Sequence, residues 1–134
     1  MKTKSIYQEV IFEASPETVY EIIMDAGRHS ELAGSEVEMS CEIKGHFSVF
    51  VGYCTGYNVE LVQGKKIVQA WHFAEDGWPD DHYSQCTFEF EPHGTGCLLK
   101  FTQTDIPEHK SDALAEGWQT YYWEPMKEMI ESEM

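Results

Sequence analysis

The segment from Ala74 to Ser84 (AEDGWPDDHYS) concentrates the side chains of this sequence that are most able to do chemistry. It holds four acids and one histidine, and His72 precedes it, so nitrogen and oxygen ligands for a metal ion lie within a short stretch. Gly77 and Pro79 impose a turn between these ligands, and the spacing matches no helical metal motif such as H-E-x-x-H. We therefore predict no metal site. We interpret the segment as a strand connection in which Trp78 folds onto the sheet or the mouth of a cavity, while the acids stay in water.

The sequence offers no credible nucleophile for covalent catalysis. It contains no G-x-S-x-G elbow and no glycine-rich phosphate loop. Ser84 is close to His82 in sequence, but neighbouring side chains of a strand point to opposite faces. A general acid or base would need one buried carboxyl group, whereas the acids here cluster in turns and at helix ends. We predict no catalytic residue and no cofactor, and an enzyme is the least favoured of the functions considered.

Four cysteines, Cys41, Cys54, Cys86 and Cys97, form no C-x-x-C pair, and each occurs in an alternating apolar stretch. We interpret them as reduced strand residues instead of zinc ligands or disulfides. The N-terminal stretch MKTKSIYQEVIF has no apolar run of signal-peptide length, and nowhere do about 18 consecutive apolar residues occur. These features predict a cytoplasmic protein with no membrane partner.

Nine basic and twenty-four acidic residues give the chain a formal charge of −15. A field of this sign repels the phosphates of nucleic acids and anionic lipid surfaces, so we predict neither as a partner. The charge is explained either by a need for solubility or by docking to a basic protein surface.

The first elements that the sequence predicts are a strand and one or two short helices. Ile6 to Glu13 alternates apolar and polar residues, which is typical of a strand. Ser15 can cap a helix whose first residue is Pro16, because a proline there loses no hydrogen bond. This helix is expected to stop near Gly27 and to be followed by a short helical or turn segment.

The middle of the chain predicts an antiparallel meander, because alternating apolar stretches are separated by glycines. The predicted strands are Val37 to Ile43, Phe47 to Val51, Tyr57 to Val62, Ile67 to Phe73, Tyr83 to Phe90 and Leu98 to Thr104. The last two are joined by a hairpin loop with the sequence PHGTG.

The C-terminal segment changes to a period of about 3.6 residues, which predicts a long amphipathic helix. Its apolar stripe consists of Leu114, Trp118, Tyr121, Tyr122, Met126, Met129 and Ile130. Pro125 lies within it, so the carbonyl of Tyr121 should lose its partner and the helix should bend or restart there.

These elements predict one α+β domain over residues 1–134, with a curved antiparallel sheet wrapped around the C-terminal helix, an arrangement called a helix-grip. Aromatic residues make up 13% of the chain, and they must fill the core or line a cavity between helix and sheet.

Several motifs, in order and over nearly the whole chain, resemble the Aha1 C-terminal-domain family, the activator of Hsp90 ATPase homologue 1-like group of the START-like (SRPBCC) superfamily. They are GYCTG at residues 52–56, VEL at 59–61, KIVQAW at 66–71, WP at 78–79, HYS at 82–84, IP at 106–107 and GW at 117–118. The resemblance implies the helix-grip fold and a possible chaperone partner. Family members often carry arginine where this chain has His72, a side chain that can lose its charge near neutral pH.

Two functions remain open from the sequence. The favoured one is a non-catalytic START-like domain that binds a small apolar or amphipathic ligand between the C-terminal helix and the sheet. The expected ligand contacts are Phe47, Tyr57, Trp71, Trp78, Trp118, Tyr121 and Tyr122. The alternative is a stress-related or Hsp90-linked protein-interaction module that uses its acidic exterior.

Overall fold

The computed structural model describes residues 1–134 and begins with strand β1 (Thr3–Phe12), helix α1 (Pro16–Met24) and helix α2 (Ala26–Ala33). As predicted, Ser15 caps α1, and its Oγ accepts a hydrogen bond from the backbone N–H of Thr18 at 3.1 Å. The expected end near Gly27 is wrong. The carboxylate of Asp25 accepts from the backbone N–H of Arg28 at 2.9 Å, which starts α2 directly after α1.

The sheet has seven antiparallel strands in the order β1-β7-β6-β5-β4-β3-β2. The remaining strands are β2 (Glu38–Met39), β3 (His46–Val49), β4 (Cys54–Val62), β5 (Lys66–Phe73), β6 (Ser84–His93) and β7 (Gly96–Pro107). The predicted strand from Val37 to Ile43 is reduced to two residues, because the segment after it is held as a loop. The side-chain amide of Asn58 donates to the carbonyls of Ser40 at 2.7 Å and Glu42 at 3.0 Å. Cys41 is exposed in this loop and is not a strand residue.

The C-terminal helix is continuous but not regular. After a 3-10 turn (Glu108–Lys110), it consists of α3 (Ser111–Trp118), a π-helical turn (Gln119–Trp123) and α4 (Glu124–Ser132). In the π-helical turn the backbone N–H of Glu124 donates to the carbonyl of Gln119, one residue further back than in an α-helix. Pro125 follows at once, so the irregularity predicted for this region takes the form of a wider turn instead of a restart.

The core lies between the inner face of the sheet and the helices, as a helix-grip requires. One cluster of 28 buried apolar residues runs through it, and Trp71, Trp123, Phe88 and Phe101 are among its largest members. No helix combines the length and the hydropathy needed to cross a lipid bilayer. The helix-grip fold predicted from the sequence is confirmed.

Candidate functional site

A half-open apolar cavity of about 130 Å³ lies between the C-terminal helix and one end of the sheet. Nine of its ten lining residues are hydrophobic. The turn before β4 and its first residue contribute Phe50, Tyr53 and Cys54, strand β5 contributes Trp71 and Phe73, and the helix contributes Leu114, Gly117, Trp118, Tyr121 and Tyr122. A cavity with this lining offers apolar contact and stacking, but few polar groups to orient a ligand.

The walls of the cavity are stacked aromatic rings. The ring of Trp118 lies 5.1 Å from that of Trp71 and 4.7 Å from that of Tyr122, measured between centroids. Phe47 supports the Trp71 ring from behind at 4.9 Å. Gly56 makes this possible, because a β-carbon at that position would collide with the Phe47 ring and with the carbonyl of Ala70. The rings are therefore fixed in place by their neighbours.

Buried glutamines bind the polar edges of both indoles. The Nε1–H of Trp71 donates to Oε1 of Gln69 at 2.9 Å, and that of Trp118 donates to Oε1 of Gln103 at 2.8 Å. The amide of Gln103 in turn donates to Oγ of Ser84 at 2.9 Å. Both glutamines are fully buried, and neither was predicted from the sequence. Their signal was a polar residue at an inward position of an alternating strand.

Behind the cavity, Tyr122 is hydrogen-bonded to a buried histidine of α2. Nδ1 of His29 lies 2.9 Å from the carbonyl of Ile23, and Nε2 lies 2.8 Å from Oη of Tyr122. Because a carbonyl only accepts, Nδ1 carries the proton and Nε2 accepts from the tyrosine hydroxyl. Burial lowers the pKa of His29 and raises the pKa of Tyr122, so both groups are neutral near pH 7. Neither brings a charge to the cavity.

The one thiol in the cavity wall is a poor nucleophile. Burial raises the pKa of Cys54, and it raises the pKa of Cys86 on the neighbouring part of the sheet in the same way. Burial also raises the pKa of Cys97 to about 11. All four cysteines of the chain are free, and three of them are buried strand residues, as predicted. Covalent catalysis by Cys54 has no chemical support, since the thiolate is the reactive form.

A strained turn forms the rim of the cavity. Phe50 and Val51 have φ angles of 56° and 54°, in the left-handed region that a β-branched residue such as valine strongly disfavours. Val51 is 84% exposed, and Tyr121 on the facing helix is 61% exposed. The hydroxyl of Tyr53 donates to the carboxylate of Glu75. Burial and that hydrogen bond raise the pKa of Tyr53.

The acidic segment behaves as a structural connection. Trp78 is buried against Phe73 with ring centroids 4.8 Å apart. Its Nε1–H donates to the carbonyl of His82 at 2.8 Å, and His72 Nδ1 lies 3.0 Å from the same oxygen. Nε2 of His82 lies 2.6 Å from the carbonyl of Asp105. No three His, Cys, Asp or Glu side chains are arranged to hold a metal ion.

The seven predicted contact residues fall into three groups. Trp71, Trp118, Tyr121 and Tyr122 line the cavity, whereas Phe47 and Trp78 lie behind its walls. Tyr57 is on the opposite face of the sheet, where its ring packs near those of His46 at 6.4 Å and Tyr83 at 5.5 Å. Its expected place in the cavity is wrong, because Cys54, Gly56 and Asn58 occupy the inward positions of β4. Six further lining residues were not predicted from the sequence: Phe50, Tyr53, Cys54, Phe73, Leu114 and Gly117.

Comparison with known families gives a match over most of the chain. The family model described as "Activator of Hsp90 ATPase homolog 1-like protein" matches residues 13–131. The chain belongs to this family. Among its relatives, the activator of 90 kDa heat shock protein ATPase homolog 2 from Mus musculus is 26% identical over 129 residues, or 96% of this chain. Homolog 1 from Homo sapiens is 26% identical over 117 residues, or 87% of this chain. The chain spans only 38% and 34% of the lengths of these two proteins.

Solved structures of the family have the same fold. An HSP90 activator from Plasmodium falciparum superimposes with a TM-score of 0.84 at 25% identity, and the match covers 96% of each chain. The Aha1 dimer from Colwellia psychrerythraea superimposes with a TM-score of 0.79 at 15% identity, covering 95% of this chain and 96% of that one. At this identity the second match shows the fold alone.

Proposed function

We propose that this chain is an interaction domain that binds an Hsp90-type chaperone and stimulates its ATPase. The observation that carries the proposal is the match with the Plasmodium falciparum HSP90 activator, which covers 96% of both chains at 25% identity. The chain therefore contains almost everything that the solved chain of that activator contains. The family model and the two mammalian relatives support the same partner.

The charge of the chain fits a protein partner with a basic docking surface. The acids outnumber the bases by twenty-four to nine. Only four ion pairs form, and all of them lie at the surface. Most acids are therefore free to attract a basic surface, which raises the association rate more than the final affinity. A cytoplasmic location is part of this proposal, because four free cysteines suit a reducing compartment.

The direct test is a titration of the chain into the purified Hsp90-type chaperone of its source organism. We expect calorimetric binding that weakens with salt, together with an increased rate of ATP hydrolysis by the chaperone. A chaperone preparation inhibited at its ATP site supplies the background rate. The absence of binding at low salt would overturn the proposal, and so would a source organism that has no Hsp90-type chaperone.

A second candidate function is the binding of a small apolar ligand, and the apolar lining of the cavity supports it. Its volume of about 130 Å³ is below the range of roughly 300–1,000 Å³ that is usual for drug-sized ligands. It is close to the roughly 150 Å³ of an engineered cavity that binds benzene. We therefore propose ligands with a single ring, and not sterols or flavonoids.

This candidate is tested by thermal shift and tryptophan fluorescence quenching. Phenol and p-cresol represent the single-ring class, and cholesterol and quercetin represent larger molecules. We expect stabilisation by the first pair only, nearly independent of salt, because apolar burial is not screened. Native mass spectrometry of protein purified from its own source would show whether a ligand is retained. No stabilisation by any single-ring compound would rule this candidate out.

A further inference from the structure

At the rim of the cavity, apolar side chains are exposed to solvent instead of being buried in the core. We define the rim as Phe50, Val51, Tyr53 and Tyr121. Val51, Tyr53 and Tyr121 are 84%, 41% and 61% exposed. Tyr53 and Tyr121 line the apolar cavity, and Val51 lies in the turn between the lining residues Phe50 and Tyr53. Contiguous exposed apolar surface of this kind marks binding sites more often than scattered apolar residues do.

The turn that carries Val51 is firmly anchored on both sides. The ring of Phe50 packs against those of Tyr121 and Tyr122, each at 6.2 Å. The backbone N–H of Tyr53 donates to the carbonyl of Phe50 at 3.2 Å, and the carbonyl of Tyr53 accepts from Ala74 at 2.8 Å. Val51 is the most exposed of the four rim residues, and its backbone conformation is one that valine disfavours. Strain that the surrounding contacts maintain at an exposed position is a recurring feature of ligand-binding sites.

Acidic side chains dominate the elements that border the rim. The part of the C-terminal helix that lines the cavity, from Ser111 to Tyr122, carries two acids and no lysine or arginine. The segment from Ala74 to Ser84 carries four acids and no lysine or arginine. The carboxylate of Glu75, in that segment, accepts a hydrogen bond from the hydroxyl of Tyr53, and its Oε1 lies 3.5 Å from Nζ of Lys110. The surroundings of the rim therefore attract cationic groups and repel anionic ones.

We propose that the rim and the cavity bind a short basic segment of a protein partner, one of whose aromatic or large aliphatic side chains enters the cavity. The volume of about 130 Å³ suits one such side chain, and the four rim residues then contact the flanking backbone. Lysine or arginine residues beside the inserted side chain would lie over the acidic borders. A free small ligand would not require Val51 and Tyr121 to be exposed. The proposal deepens the proposed function, since an Hsp90-type chaperone would be the source of the segment, but the chemistry of recognition does not depend on which protein supplies it.

Synthetic peptides of about nine residues test this chemistry directly. The first peptide has a central phenylalanine flanked by lysines, the second has alanine at the centre, and the third has glutamates as flanks. Binding to the full chain is measured by fluorescence anisotropy at about 0.05 M and 0.5 M NaCl. We expect the alanine peptide to bind at least about tenfold more weakly than the first, because the buried ring is lost. The glutamate peptide should not bind, and salt should weaken the binding of the first.

Variants of the chain localise the site. Val51→Asn removes the apolar surface and introduces a residue that tolerates the left-handed conformation of the turn. Tyr121→Ser removes the aromatic ring from the facing helix. Each substitution should weaken binding of the first peptide at least about tenfold and leave the melting temperature of the chain unchanged. Val62→Asn and Tyr7→Ser are the controls, because Val62 and Tyr7 are 40% and 57% exposed and neither lines the cavity. They should leave binding unchanged.

Four outcomes decide the proposal. Equal binding of the phenylalanine and alanine peptides would overturn it, as would loss of binding in the controls but not in the rim variants. If the chaperone binds the chain and Val51→Asn binds it equally well, this inference fails while the proposed function stands. If the first peptide binds at the rim but no Hsp90-type chaperone binds the chain, the inference stands and the proposed function fails.

Discussion

At the scale of single residues, the cavity depends on polar side chains that never touch its interior. Gln69 and Gln103 accept hydrogen bonds from the indole N–H groups of Trp71 and Trp118. The indole surfaces that face the cavity are therefore apolar and rigid. Each glutamine also donates its amide to a second buried oxygen, on Asn58 and Ser84 respectively. A satisfied buried network of this kind is stabilising only as a whole, because removing one member leaves another unpaired.

Replacing Gln103 by leucine should therefore destabilise the protein although it adds apolar volume. The indole N–H of Trp118 would lose its acceptor in a buried site, at a cost of about 1–3 kcal/mol. Urea unfolding measures the difference. Gln85→Leu is the matched control, because Gln85 is exposed on β6 and a change there should stay within about 0.5 kcal/mol. Equal stability of the two variants would contradict the role of the Trp118–Gln103 bond.

The buried pair of His29 and Tyr122 predicts a pH dependence of stability. Because burial lowers the pKa of His29 in the folded state, the unfolded chain takes up this proton first as the pH falls through about 6.5. The free energy of unfolding should then decrease towards acid, by up to about 1.4 kcal/mol per pH unit for this one proton. The contribution is present above pH 6.5 and is lost below it.

His29→Gln isolates this effect from the titration of the many carboxylates, because the variant shares them. At pH 7.5 the variant should be less stable than the natural chain, since glutamine cannot reproduce both hydrogen bonds. The difference should narrow steadily between about pH 6.5 and 5. A difference that stays constant over this range in urea unfolding would show that His29 does not titrate on unfolding.

At the scale of elements, the π-helical turn sets the rotation of one half of the C-terminal helix against the other. It lies between Trp118 and Glu124, and both sides carry core residues. Trp118 and Trp123 stack at 5.5 Å with an angle of 20° between their planes. An α-helix of the same sequence would separate side chains by about 100° per residue and would break this alignment. The wider turn thus keeps both Trp118 in the cavity wall and Trp123 in the core packed against the sheet.

Deleting Thr120, which is exposed in this turn, should close it to an α-helical turn and rotate α4 relative to α3. The core contacts of Trp118 or of Trp123 would then be lost, at a cost of about 3 kcal/mol or more. Thr120→Ala is the control and should retain normal stability. Urea unfolding and near-UV circular dichroism follow both variants, and a deletion variant as stable as the control would show that the turn does not determine the packing.

The elements also show which parts of the fold the sequence predicts. Ser15 and Pro16 mark the start of α1, because capping is a local interaction between neighbouring residues. The face of Tyr57 is not local information. A bulge between Asn58 and Glu60 changes the alternation of β4, so apolar residues that share one face in a regular strand lie on different faces here.

The cavity was predicted only in part, again because a sequence pattern carries local information and does not reveal long-range contacts. The helical side follows from the 3.6-residue period, which places Trp118, Tyr121 and Tyr122 together. The side formed by Phe50 and Tyr53 was missed, because the left-handed φ of Val51 is held by long-range contacts that no local pattern reveals.

At the scale of the whole molecule, charge is the least balanced property. The formal charge is −15, and the four ion pairs are surface pairs whose side chains are all at least one-fifth exposed. Surface pairs of this kind contribute about 0–1 kcal/mol each. Repulsion between the remaining acids therefore outweighs the attraction that the pairs supply, and it opposes the compact state.

Added salt should accordingly stabilise the fold. The Debye length falls from about 30 Å at 0.01 M to about 8 Å at 0.15 M, so long-range repulsion is screened while buried hydrogen bonds are unaffected. We expect the melting temperature to rise by a few degrees over this range, which corresponds to about 1 kcal/mol. A variant with Glu38, Glu124 and Glu131 replaced by glutamine separates screening from other effects of salt, because all three are exposed and form no ion pair. It should melt higher than the natural chain at low salt and equally at 0.15 M, by differential scanning calorimetry. If salt lowers the melting temperature, attraction within the ion pairs outweighs repulsion between the acids. The acidic surface would then carry no net repulsion that a basic partner could relieve.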